Sequence, residues 1–103
     1  MFKDKGFIKF KDGEYEVTIN YLNKEDYLLG ITLGDSNKVK YFKEHSDITA
    51  TEGPKGTDFV DIHVEVDSES NLARKIYDEM TELNHNHFKE YDERLVAVKV
   101  TLK

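Results

Sequence analysis

Thr32, Ser36 and Lys38 stand together at the end of Tyr27–Leu33, the most continuously apolar stretch of the chain. Two hydroxyls and a cation at the junction between a buried strand and a helix suit one kind of chemistry, the holding of an anion. The first amides of a helix lack partners, and the helix dipole turns its positive end toward them. A serine hydroxyl and a lysine nearby add hydrogen bonds and charge. The ligand this points to bears a phosphate group. A plainer reading stands beside it: Ser36 or Asn37 caps the helix and the lysines are solvated.

Several elements must position this junction. Phe7–Phe10 reads as a short strand, and Asp12-Gly13 supplies the positive φ angles of a type I′ turn into the next. Tyr15–Leu22 alternates strictly, with Tyr15, Val17, Ile19 and Tyr21 on one face. Gly30, inside the apolar strand, suggests a close approach or a kink. Gly34–Asn37 breaks that strand. Asn37–His45 reads as a short helix with Val39 and Phe42 on its inner face and His45 at its C-terminus. Asp47–Glu52 is a Thr-rich strand, and Gly53-Pro54 turns the chain. Asp58–Val66 alternates again. Asp67 to Ser70 offers several N-cap residues for a long helix, expected from about Ser68 to Leu83, with Leu72, Ile76, Met80 and Leu83 as its stripe and Tyr77 beside it. An acidic connection, Phe88–Glu93, leads to a last strand, Arg94–Leu102. The expectation is one domain over residues 1–103: a mainly β fold, a largely antiparallel β-barrel with one short and one long helix.

Other chemistry is thinly supported. His85 and His87, in Asn84-His-Asn-His87, have a spacing that could bind metal, but a site needs three or four converging ligands. They read as surface histidines at a helix end, and no metal site is assigned. His63 lies on the polar face of its strand with no nucleophile motif around it. Gly-rich dinucleotide motifs and P-loops are absent, so redox or transfer chemistry would have to come from a bound cofactor.

Composition narrows the classes further. The 103 residues include no cysteine, which rules out disulfides and thiolate chemistry and fits a reducing compartment. The formal net charge of −6 opposes nucleic-acid phosphates at long range. No apolar run approaches the roughly 18 residues of a membrane span, and the first residues carry no apolar signal core. A cytoplasmic protein is expected, with neither nucleic acid nor membrane as partner.

The order of elements around Thr32-x-x-x-Ser36-x-Lys38, followed by Phe59-Val-Asp-Ile-His-Val-Glu-Val-Asp-Ser-Glu69, resembles the FMN-binding split barrels related to pyridoxamine 5′-phosphate oxidase. The similarity runs from about Tyr15 to the C-terminus. It implies a split barrel, FMN as cofactor, Thr32, Ser36 and Lys38 beside the flavin phosphate, and a homodimer with the flavin at its interface. It also implies a possible flavin-dependent oxidoreductase. The alternative is a non-catalytic homodimeric module of the same fold that has lost its cofactor. Departures from the family pattern motivate that alternative: only 14 residues precede Tyr15, which makes the chain look N-terminally shortened, and no arginine occurs before Arg74. The C-terminal extension of the oxidases themselves is also missing.

Overall fold

The computed structural model describes residues 2–103, the Ser70 side chain excepted. Six strands are present: β1 (Lys5–Asp12), β2 (Tyr15–Asn23), β3 (Leu28–Leu33), β4 (Asp47–Gly53), β5 (Val60–Asp67) and β6 (Leu95–Leu102). Two helices, α1 (Asn37–Glu44) and α2 (Ser70–Glu82), complete the chain. The strands close into an antiparallel barrel in the order β1-β2-β3-β6-β5-β4, with β4 returning to β1. The expected mainly β barrel with one short and one long helix is the fold observed.

Alternation of side chains builds the interior. Ile8 and Phe10 of β1, Ile19 and Tyr21 of β2, Ile62 and Val64 of β5, and Val98 and Val100 of β6 all point inward and are buried. Each large side chain so buried contributes about 1.5–3 kcal/mol of transfer free energy. The outward residues of β3 and β6, Leu29, Ile31, Leu95 and Ala97, are apolar too, because α2 packs across them with Ala73, Ile76, Tyr77 and Met80. α1 lies over an end of the barrel, with Val39 and Phe42 buried and the Phe42 ring 4.8 Å from that of Phe10. Tyr21 donates its hydroxyl to the Glu52 carboxylate, and burial with this contact raises its pKa.

Four details differ from the sequence expectations. β1 spans eight residues, not four, and pairs with both β2 and β4. Lysine occupies the outward positions 5, 9 and 11, which conceals a strand paired with β2 over its whole length and with β4 over Phe7 to Lys11. The hairpin turn is Gly13-Glu14, since Asp12 still pairs with Tyr15. Only Gly13 has positive φ there, +61°, the pattern of a type II′ turn. Asp12 instead accepts the Tyr41 hydroxyl, a contact that pushes Tyr41 up to about 12. At the start of α2 no side chain among the described residues caps the helix, and the Asp67 carboxylate accepts the Glu69 amide at 2.8 Å. Ser70, one of the expected caps, has its side chain outside the described residues. Leu83 is not in the apolar stripe and is 42% exposed. The chain leaves the helix there: Asn84 takes φ +53°, the Asn84 amide donates to the Thr81 carbonyl and the His85 amide to the Met80 carbonyl. That bond pair is a Schellman stop.

The seam between β2 and β3 is the weakest in the barrel. Its ladder holds two pairs, Leu22 with Leu29 and Asn23 with Leu28. Gly30 follows immediately, and a β-carbon there would lie 2.8 Å from the Asn20 carbonyl oxygen. The glycine therefore marks a close approach. Gly30→Ala is expected to lower stability by about 1–3 kcal/mol, because a backbone carbonyl must shift. Urea unfolding, with the slope unchanged and the midpoint reduced, measures this.

Candidate functional site

Past Gly30 the seam opens, and a cleft of about 240 Å³ occupies the opening. Its floor comes from β2 and β3, through Thr18, Asn20, Ile31 and Thr32. The start of α1 supplies Ser36 and Lys38 on one side. Asn86, His87 and Phe88, from the segment after α2, supply the other. The three residues singled out in the sequence thus line one cleft.

Local interactions fix the α1 side. Ser36 is the N-cap of α1, and its hydroxyl accepts the Val39 amide at 3.4 Å. At that length the cap is weak. The capping reading and the cleft-lining position hold for the same side chain. Among the described residues, the amides of Asn37 and Lys38 find no protein acceptor. The first turn of α1 holds no acid, although acids stabilise that position. It holds Lys38, half-buried and without a carboxylate partner among the described residues. Thr32 is 2% exposed at the floor.

Arg94 holds the loop before α1 in place. Its carbonyl accepts the Gly34 amide at 2.6 Å. Its guanidinium reaches Asp92 at 2.8 Å and Asp35 at 3.1 Å. The arginine beside it holds Asp92 down at about 2. Asp35, the acid next to Ser36, is thereby paired away from Lys38. Asp and Glu make up 21 of 103 residues, yet none lines the cleft, and the ionisable side chains that do, Lys38 and His87, carry positive charge or none. In an acidic protein that arrangement attracts anions locally.

The opposite wall escaped sequence reasoning. Asn86 through Phe88 lie about 50 positions downstream of Lys38, and only folding brings the two sides together. The usable signal was the helix stop at Asn84, which turns the next residues back toward the barrel. His85, expected at the surface, is half-buried: its Nε2 lies 2.8 Å from the Gly6 carbonyl and its ring meets Phe7 edge-on. His63 sits elsewhere, with Nδ1 3.0 Å from Asp47 and Nε2 3.3 Å from Glu65. His45 ends α1, its amide donating to the Tyr41 carbonyl and its ring stacked on Tyr41. Among the described residues no cluster of His, Asp and Glu forms a metal site. Among the described residues no helix is long and apolar enough to cross a membrane.

No protein-family profile matches the sequence, and no curated protein matches it. Solved structures do resemble it. A Listeria innocua protein provisionally described as a pyridoxamine 5′-phosphate oxidase superposes with a TM-score of 0.68 at 9% identity, over 98% of this chain and 85% of its own. A NimC/NimA family protein from Clostridium acetobutylicum superposes with a TM-score of 0.56 at 12% identity, over 95% and 73%. The chain therefore has the split-barrel fold of pyridoxamine 5′-phosphate oxidase-like proteins.

The Arg94 clamp is open to direct test. Carboxyl NMR should find Asp92 titrating near 2, and Arg94→Gln should return it toward the ordinary value near 3.9. Because the folded value is depressed, the stability this pair contributes is present above the ordinary carboxylate range and is lost as pH falls toward 2.

Proposed function

We propose that the protein is an FMN-binding homodimer that serves a flavin-dependent oxidoreduction, with Thr32, Ser36 and Lys38 holding the phosphate end of the cofactor. The charge of the cleft carries this reading. A carboxylate-free cleft in a chain of net charge −6, with an unpaired lysine at a helix start, suits a phosphate better than a cation or a neutral ligand. The split-barrel fold of the two structural neighbours supports the choice of flavin.

The residues present fit the group in kind. The free amides of Asn37 and Lys38, the Ser36 hydroxyl and the Lys38 ammonium donate or carry positive charge, as phosphate oxygens require. Ile31, Leu33, Met80 and Phe88 offer apolar surface nearby. Size argues for a second wall. The cleft, at about 240 Å³, falls below the roughly 300–1,000 Å³ that enclose ligands of this class. One protomer then seats the phosphate end, and a second copy completes the enclosure. When bound, FMN supplies reversible electron transfer; the chain's own part is to bind it, orient it and exclude water. The cysteine-free composition favours the cytoplasm as the compartment.

Flavin fluorescence quenching and light scattering test this together. The dimer should bind FMN, Lys38→Ala should weaken binding about tenfold through loss of a charge-assisted contact, and riboflavin, which lacks the phosphate, should be indifferent to the substitution. A dimer that takes up no flavin would replace this reading with a non-catalytic module of the same fold. A monomer would remove the second wall.

A further inference from the structure

The wall opposite Lys38 is built to hold still. Asn86 donates its Nδ2 to the Thr81 hydroxyl at 2.9 Å and the Tyr77 carbonyl at 3.2 Å, and its Oδ1 accepts the Phe88 amide at 2.9 Å. His85 is anchored to Gly6, and Asn20 donates to the His85 carbonyl at 3.4 Å. Between these anchors His87 is exposed at the cleft, its ring 5.2 Å from that of Phe88 and edge-on to it. Among the described residues it has no ion-pair partner.

We propose that His87 is a second cationic contact of the cleft and that, with Lys38, it selects a dianionic phosphate monoester over singly charged or neutral ligands. The proposal rests on the anion-binding reading of the cleft and adds to it the charge of the ligand. Lys38 and His87 line one cleft of about 240 Å³. A phosphate bound there lies among both side chains. Lys38 faces His87 from the start of α1. β2, β3 and α2 present only uncharged lining residues, among them Thr18, Asn20, Leu33 and Met80. Lys89 follows on the same loop, and Asp35, near the α1 side, is held by Arg94. No carboxylate lines the cleft to neutralise an imidazolium. Histidine is the side chain that ordinarily gains its charge between about pH 8 and 5, so the second contact strengthens as pH falls.

Titrations of the full chain with FMN and riboflavin at pH 5.5 and pH 8, at constant ionic strength, decide the matter. His87→Gln should bind FMN about fivefold more weakly than wild type at pH 5.5 and equally at pH 8. His87→Lys should bind FMN at pH 8 at least as tightly as wild type, since its charge is fixed. Riboflavin affinity should be the same for all three. The phosphate ester takes up its own second proton near pH 6, so variants are compared with wild type at the same pH, where the free ligand has the same charge for all. A His87→Gln ratio that is the same at both pH values, or an equal loss of riboflavin, overturns the role of His87 and leaves the FMN reading standing if Lys38→Ala still weakens FMN. Failure of every variant, wild type included, to bind FMN overturns both.

Discussion

Two ladder pairs are all that join β2 to β3, and the cleft exists because the pairing stops there. A fully zipped seam would leave no room between Thr18 and Leu33. Gly30 sets the geometry of that stop. It lets the Asn20 carbonyl come in close at the last point of contact, and the strands part beyond it. The remainder of the barrel tolerates this opening because β1 is paired along both edges and the interior is filled from all six strands. The cleft is thus a local exception supported by a closed frame.

Electrostatics gives the opening its character. The chain carries a net charge of −6, so an anion meets an unfavourable mean field until it reaches the seam. There the carboxylates have been withdrawn or engaged. Asp35 and Asp92 share the Arg94 guanidinium, which leaves Lys38 uncompensated beside open amides. A single arginine on the approach to β6 therefore shapes both the backbone, through the Gly34 amide, and the charge of the loop ahead of α1.

The frame was largely legible in the sequence. Strict alternation over Tyr15–Leu22 and Asp58–Val66 pointed to half-buried strands, and the polar break after Leu33 located the start of α1. β1 was read short because Lys5, Gly6, Lys9 and Lys11 dilute its pattern. At Gly6 a β-carbon would meet the Tyr21 hydroxyl and the Glu52 carboxylate at 3.2 Å, a tight contact with two side-chain ends. Leu83 falls outside the stripe that helical spacing predicts because Asn84, at φ +53°, ends the helix beside it. In the cleft, Thr32, Ser36 and Lys38 could be found because they are neighbours in the chain. His87 and Phe88 could not, because their position depends on a long-range return of the chain and on Asn86, whose two donated hydrogen bonds reach back into α2.

The Asn86 network separates the shape of one wall from its chemistry. Its bonds run to the Tyr77 carbonyl and Thr81 hydroxyl of α2 and to the Phe88 amide, none of them to the side chains that face the opening. Phe88 packs against the cluster under α2, but the scaffold of the loop is indifferent to what stands at the exposed position 87. Related chains could exchange that side chain and acquire a different ligand without refolding the segment that carries it. Because the wall is already ordered, such exchanges would change binding enthalpy and charge with little added cost in chain entropy. That makes this short return after α2 the part of the barrel best placed to diverge while the fold around it stays the same.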